Sequence, residues 1–383
     1  MVHRTLATLF SGGGLFDVGA QAAGLTPIWA VERDPDIAAV YRTNHPDGTC
    51  LVRDVGEVDY TLLPVSDWLH ASPSCVNASR ARATGGGETE EDRQAAKAIV
   101  RALERLPRIF SLENVWRYRT FDAFQMVTQQ LDRLGYTWDF WHLNAADYGV
   151  PQTRKRLILV ARRDGPQPRR PGPTHCQGGS LFDPPWVSWY EAIEDLLPTL
   201  PADELAPWQV RRLREHPHTS FLVSSTPSLD GKGFRSEEEP AYTVMASPFS
   251  PIRAVLVEGR NGSPGGGPDP RPDDAPAFTL TTSHPPRAVL VEGQNGSPDR
   301  GPISRLDDAP AFTLTTSHPP RALVEGRCVQ LSPRALARLQ SIPGGYVLPE
   351  RRRLAGQIIG NGVPPLLAQR VVEANSEVGG RTE

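Results

Sequence analysis

Short apolar runs alternate with longer amphipathic stretches over the first 163 residues, and this alternation restricts the fold more than any other feature of the chain. The runs are Thr5–Phe10, Ile28–Glu32, Trp68–Ala71, Ile109–Leu112 and Leu157–Ala161, and the stretches between them include Glu90–Leu106 and Phe121–Leu134. Runs this short suit strands buried on both faces, whereas apolar residues at helical spacing argue for the helices that connect them. The expected result is an α/β domain with a largely parallel sheet. A chain of 383 residues is longer than one compact domain usually needs, so a second domain is expected. The texture changes accordingly after Asp164, where proline and glycine crowd Gly165–Pro173 and then Ser247–Pro320.

That second region carries a near-identical duplication with a period of 34 residues. Arg253-Ala-Val-Leu-Val-Glu-Gly is followed by Arg287-Ala-Val-Leu-Val-Glu-Gly, and a shortened third start reads Arg321-Ala-Leu-Val-Glu-Gly. Each full unit ends in Ala-Pro-Ala-Phe-Thr-Leu-Thr-Thr-Ser-His-Pro-Pro. β-Branched runs between Gly and Pro turns imply a loop-rich β domain, and two and a half copies are too few for a solenoid. Helical spacing returns in the tail at Pro333–Gln340 and Pro364–Glu373.

Composition narrows the function only a little. The formal net charge is -3, so bulk charge does not announce a nucleic-acid binder, although 38 of the 41 basic residues are arginine, the side chain suited to bidentate contacts with phosphate and guanine. Cys50, Cys75, Cys176 and Cys328 show no C-x-x-C spacing, which argues against a zinc site or a disulfide framework. No run of eighteen apolar residues occurs, and a cytoplasmic protein without membrane spans is expected.

Four segments carry candidate chemistry. Phe10-Ser11-Gly12-Gly13-Gly14-Leu15 lies between a strand and a helix, where glycines let backbone N–H groups approach a ligand. Glu32 follows at the end of the next apolar run, where a carboxylate can take both hydroxyls of a ribose, and Asp54-Val55 comes next, where a carboxylate can meet an adenine amine. Together the three suit a nucleoside cofactor; they do not separate NAD from S-adenosylmethionine, but the absence of G-x-G-x-x-G spacing leans to the latter. Cys75, in Pro73-Ser74-Cys75-Val76, sits on a loop at a strand's carboxyl end with Arg80 and Arg82 nearby, a setting that favours a thiolate. Glu113, in Glu113-Asn114-Val115, ends another strand on the same edge, and Arg154 and Arg156 alternate ahead of the strand at Leu157–Ala161. Singly, each has an ordinary explanation: a strand–helix turn, a small buried thiol, a helix cap, a solvated basic face. Their order is what carries weight.

In that order the chain resembles the DNA cytosine-5 methyltransferase family. Phe10-Ser-Gly-Gly-Gly is similar to the family's cofactor loop, Glu32 to its ribose ligand, Asp54 to its adenine contact, Pro73-Ser-Cys75 to its catalytic loop, Glu113-Asn-Val to its Glu-Asn-Val, and Gln152-Thr-Arg154-Lys-Arg156 to its Gln-x-Arg-x-Arg. Leu336–Pro343 and Gln357-Ile-Ile-Gly-Asn361-Gly-Val363-Pro-Pro are similar to its C-terminal motifs, which complete the cofactor pocket. The resemblance covers about 1–163 and 328–375. It implies a doubly wound, Rossmann-like sheet, with 1–185 as catalytic and cofactor-binding domain, 186–327 as a smaller target-recognition domain, and 328–383 returning to the first. It further implies transfer of a methyl group from S-adenosyl-L-methionine to C5 of a cytosine flipped out of double-stranded DNA, through a covalent Cys75 adduct. Glu113, Arg154 and Arg156 would assist, no metal would take part, and a monomer with a possible cognate restriction endonuclease is expected. Alternatives are a transfer-RNA cytosine-5 enzyme and transfer of a modified one-carbon-derived group; an NAD oxidoreductase would leave Cys75 and Glu113 without a role. The family's Pro-Pro-Cys-Gln reads Pro73-Ser74-Cys75-Val76 here, a departure that touches base positioning and rate while keeping the thiol.

The duplication gives a direct test of the recognition region. In-frame deletion of Arg287–Pro320 joins Pro286 to Arg321, a junction matching Pro320–Arg321. Cells expressing the deleted form are expected to lose or alter the methylated sequence while the protein still binds cofactor; an unchanged bisulfite pattern at full level would deny the unit any part in recognition.

Overall fold

The computed structural model describes residues 4–74, 87–180, 182–201 and 331–376, with six short strands between 222 and 330. Its centre is a seven-stranded sheet built from β1 (Arg4–Leu9), β2 (Leu25–Glu32), β3 (Thr49–Val52), β4 (Trp68–Ala71), β5 (Ile109–Asn114), β6 (Thr137–Asn144) and β7 (Lys155–Arg162). The spatial order is β3-β2-β1-β4-β5-β7-β6, with β7 antiparallel to both neighbours and the remaining pairs parallel. The order reverses between β1 and β4, and in open α/β sheets the crevice beyond the strand ends at such a point is where ligands bind.

All five expected strands form. β3 and β6 are additional, and both are edge strands whose sequences carry polar residues: β6 is exposed at Thr137 and His142 and half-buried from Trp138 to Trp141. An edge strand with one partner does not need the continuous apolar run that a central strand requires, so the pattern weakens there.

Alternation along the central strands feeds two cores. Ala7, Leu9, Leu69, Phe110, Leu157 and Leu159 face α3 (Glu90–Leu103) and α4 (Asp122–Arg133), whereas Leu6, Trp68, Ile109, Ile158 and Val160 face α1 (Leu15–Ala22) and the last helix. α3 starts on a capping box in which Thr89 and Asp92 exchange side chain and backbone, and three acidic residues in its first turn favour the helix dipole. The other helices are α2 (Pro35–Asn44), α5 (Trp189–Ile193), α6 (Pro333–Leu339), α7 (Arg352–Asn361) and α8 (Pro365–Ser376). α7 is additional to the helical spacing expected at Pro333–Gln340 and Pro364–Glu373. Trp189, Ile193, Leu197 and Leu200 pack with Leu331, Leu336, Leu339 and Ile359 and with Leu15 and Ile37, so the segment after residue 331 builds core with the first domain. No helix among the described residues is long and apolar enough to cross a membrane.

Further strands are β8 (Leu222–Val223), β9 (Phe234–Arg235), β10 (Val289–Glu292), β11 (Ile303–Leu306), β12 (Arg321–Val324) and β13 (Arg327–Gln330). The last four make an antiparallel sheet ordered β11-β10-β12-β13. Val289 pairs with Leu323, each lying two residues into its copy of the repeat, so neighbouring repeat units pair with one another.

A polar row runs along β4 towards its carboxyl end by way of Ser111 in β5. Trp68 Nε1 donates to Ser111 Oγ at 2.8 Å, and His70 is bonded at Nδ1 to Ser111 Oγ and at Nε2 to Ser72 Oγ, both at 2.8 Å. The imidazole stacks on Phe16 with centroids 3.4 Å apart and is fully enclosed, which pushes its pKa down to about 3. The unfolded chain therefore binds the proton that the folded chain refuses. Stability from this group is complete above about pH 6.5 and falls as acid approaches the folded pKa.

Two outcomes are expected. His70→Asn should flatten the acid limb: between pH 6.5 and 4.5 the parent should lose up to about 1.4 kcal/mol per pH unit more than the variant in urea unfolding, and identical slopes would contradict a neutral buried imidazole. At the α1–α8 crossing, a Cβ on Gly19 would lie 2.1 Å from the Pro365 carbonyl oxygen. Gly19→Ala should therefore cost about 1–3 kcal/mol of unfolding free energy; parental stability would mean the helices are not so closely apposed.

Candidate active site

The glycine loop leaves β1 through Phe10, Gly12 and Gly14, with φ of 56°, 55° and 80°. Phe10 is the unusual member, because a side chain rarely occupies the left-handed region without being held there. The loop is held from behind. A Cβ on Gly13 would meet the Tyr346 hydroxyl at 2.5 Å, and one on Gly14 would meet His45 Nε2 at 2.3 Å, so both positions are closed to any side chain. The Tyr346 hydroxyl donates to the Gly13 carbonyl at 2.7 Å, and His45 Nε2 bonds the Gly14 carbonyl at 3.0 Å. Gly12 faces the other way, with nothing within 4 Å of where its Cβ would stand.

Glu32, at the end of β2, ties this loop to its neighbour. One carboxylate oxygen accepts the Gly12 N–H and the other the Asp34 N–H, each at 2.9 Å. Each oxygen keeps a further lone pair for an incoming hydroxyl. The Arg53 N–H donates to the Glu32 carbonyl, which sets the exposed Asp54 and the buried Val55 beside Glu32, with Asp54 capping the turn at Gly56. Below the loop, the buried Asp17 accepts from Thr8 at 2.7 Å and from the Tyr41 hydroxyl; enclosure raises its pKa, and the same burial lowers that of His45.

The C-terminal segment closes the opposite wall. A Cβ on Gly13 would lie 2.6 Å from Ile358, and one on Gly362 would lie 2.3 Å from Leu15. Gln340 Nε2 donates to the carbonyls of Ile359 and Gly362 at 2.9 and 2.8 Å, fixing the turn between the exposed Asn361 and the buried Val363. Phe10, Ser11, Gly12, Gly14, Leu15, Glu32, Asp54, Val55, Asn361 and Val363 thus gather around the carboxyl ends of β1, β2 and β3.

A second group stands across β4 on the same edge. Glu113 at the end of β5 pairs with Arg156 Nε at 3.0 Å, with the two side chains only 7% and 6% exposed. Sheet register explains the meeting, because β5 and β7 run antiparallel with Glu113 opposite Ile158 and Asn114 opposite Leu157. Arg154 is buried, and its backbone N–H is bonded to Asn144 Oδ1. Asn114 Nδ2 donates to the Pro73 carbonyl at 3.0 Å, which joins β5 to the loop that leaves β4. Cys75, Arg80 and Arg82 lie outside the described residues. Sequence reasoning did not single out Tyr346, His45 or the His70 row, whose contacts span 333 residues (Tyr346–Gly13) or connect separate strands and so leave no local pattern. No group of three or more His, Cys, Asp or Glu residues suited to a metal ion occurs among the described residues.

The profile of the C-5 cytosine-specific DNA methylase family matches residues 5–196, half of the chain. Type II methyltransferase M1.HphI of Haemophilus parahaemolyticus is 33% identical over 190 residues, covering 47% of this chain and 51% of that protein. Type II methyltransferase M.AquIA of Picosynechococcus is 29% identical over 224 residues, covering 52% and 90%. The chain spans about half the length of several such relatives. Among solved structures, a Spodoptera frugiperda DNMT2 mutant superposes with a TM-score of 0.56 at 13% identity over 98% of this chain and 100% of that one, and S. pombe Dnmt2 with 0.51 at 14% over 97% of each, a likeness of fold. By its sequence match and by a fold of this kind, the chain belongs to the C-5 cytosine-specific DNA methylase family.

Proposed function

We propose that the protein transfers the methyl group of S-adenosyl-L-methionine to C5 of a cytosine flipped out of duplex DNA, through a transient bond between Cys75 and C6 of the base. The observation that carries this reading is the buried Glu113–Arg156 pair, on the same sheet edge as the Gly12–Glu32 cradle. One group suits a base and the other a nucleoside, and the family match joins them.

The cradle fits the cofactor. Glu32 has lone pairs for two ribose hydroxyls, Asp54 and Val55 stand beside it for the adenine, and the open face of Gly12 leaves room for the chain between them. Asn361 and Val363 complete the wall. When bound, the cofactor supplies an electrophilic methyl group.

The protein's own task is to make C5 of cytosine nucleophilic. Addition of the Cys75 thiolate at C6 gives the ring enamine character, and Glu113 bonds N3 and the exocyclic amine so that charge does not accumulate at N3. Arg156 fixes the rotamer of Glu113, and Arg154 helps hold the base and backbone. Loss of the C5 proton and expulsion of Cys75 restore aromaticity. Neither C5 nor C6 can be approached this way inside a duplex, which makes extrusion of the base necessary.

We further assign 186–327 to target recognition, with 1–185 and 328–383 forming the catalytic body, and take the protein to be a cytoplasmic monomer that works with or without a cognate restriction endonuclease. Relatives named as type II methyltransferases support a role in DNA modification.

Cys75→Ser should reduce turnover by at least about 10³-fold while leaving cofactor affinity within about twofold. Duplexes carrying 5-fluorocytosine should trap the parent, but not the variant, in a complex stable to denaturant, because fluorine cannot leave C5 as a proton. Full activity of the variant would end the covalent mechanism. Nucleoside mass spectrometry should find 5-methylcytosine in the DNA of expressing cells; a gain confined to their transfer RNA would move the substrate to RNA.

A further inference from the structure

Arg162 ends β7 on the edge of the sheet opposite the glycine loop. Six residue steps of extended chain, about 20 Å, separate it from Arg156. It is 2% exposed, and its Nε is enclosed without a hydrogen-bond partner. No carboxylate among the described residues pairs with it, since the nearby Asp164 is engaged by Arg163 at 3.4 Å and Asp67 accepts both the N–H and the hydroxyl of Thr5.

Further cations surround this buried guanidinium. Arg108 is adjacent through the Ile109–Arg162 register and the Arg163 N–H bond to its carbonyl at 3.0 Å. Arg4 and Arg169 are both fastened to the last turn of α8, the first by its guanidinium on the Ser376 carbonyl, the second by a reciprocal pair of 2.9 Å bonds between its backbone and the Asn375 amide. Burial and the repulsion of Arg108, Arg169 and Arg4 press the pKa of Arg162 downward. The turn at Gly165, with φ of 101°, passes the guanidinium so closely that a Cβ there would touch Nη2 at 3.6 Å.

A buried guanidinium whose Nε lacks a partner, among like charges, is costly. An oxyanion offsets that cost. The planar fork of Arg162 matches two phosphate oxygens, the half-buried Arg4 and Arg108 supply charge at the rim, and the exposed Arg169 leaves one side open for entry. We propose that Arg162, Arg108, Arg4 and Arg169 form a phosphate-binding site on the amino-terminal edge of the sheet, separate from the catalytic edge. The phosphate belongs either to a phosphorylated small molecule or to a nucleic-acid backbone lying against this edge.

The test uses the full chain, with inorganic phosphate as probe at constant ionic strength and chloride as control. Phosphate should raise the melting temperature of the parent, and calorimetry should give a dissociation constant weakened at least about tenfold by Arg162→Gln and about threefold by Arg169→Gln. Arg169 is exposed, so its variant separates loss of the site from loss of the fold. A cytosine-free duplex distinguishes the sources: competition with phosphate that weakens in Arg169→Gln identifies a nucleic-acid backbone, and phosphate binding without competition identifies a small phosphorylated ligand. No phosphate-dependent stabilisation of the parent, or the same stabilisation in both variants, overturns the site.

Discussion

The hydroxyl of Tyr346 reaches back across 333 residues to the carbonyl of Gly13, and much of the molecule is organised around that closure. A loop with Phe10, Gly12 and Gly14 at positive φ is a poor conformation for an isolated chain, because the strain must be repaid by contacts that admit no alternative. Tyr346 and Ile358 occupy the space a Gly13 side chain would need, and His45 does the same for Gly14. The wall that shapes the loop is therefore supplied by the segment after residue 331, which packs directly against the loop and α1.

The buried Glu113–Arg156 pair shows a different use of free energy. Taking both charges from water costs several kcal/mol per ion, and the attraction between them offsets that cost only with good geometry. An apolar pair of similar volume would serve stability as well. What the ion pair adds is a carboxylate whose position is settled before any substrate arrives, since the register of two antiparallel strands and the 3.0 Å contact leave little freedom. The neighbouring Asn114–Pro73 bond extends the same order to the start of the loop that carries Cys75.

Much of this was legible in the sequence, and the reason differs from one element to the next. β1, β4, β5 and β7 are central strands buried on both faces, so each appears as a short, largely apolar run, and Phe10 and Glu113 at the carboxyl ends of β1 and β5 share one edge of the sheet with Arg156 at the start of β7. β6 and β3 were harder, because an edge strand keeps polar residues. α7 was hidden by its own composition, Arg-Arg-Leu-Ala-Gly-Gln-Ile-Ile-Gly-Asn, in which two glycines weaken the helical signal that packing against Gly13 and Leu336 restores. The glycine loop and Glu32 were legible as pieces, whereas the support from His45, Tyr346 and Gln340 depends on contacts that no local pattern encodes. Arg162 was concealed in a different way, since an arginine after an apolar run reads as a solvated strand end.

The row from Trp68 to Ser72 also has two settings of its protons. An indole N–H can only donate, so Ser111 Oγ must receive it, and that hydroxyl keeps one further lone pair and its own hydrogen for Nδ1 of His70. Where Ser111 gives its hydrogen to Nδ1, the neutral imidazole carries its one proton on Nε2 and gives it to Ser72; where Nδ1 carries the proton, Nε2 accepts from Ser72 instead. Each link fixes the next, and the row ends at the half-buried Ser72 hydroxyl, three positions before Cys75. Exchange of one tautomer for the other thus reaches the sheet's edge as a change in what Ser72 offers there: a free hydrogen in the first setting, lone pairs alone in the second.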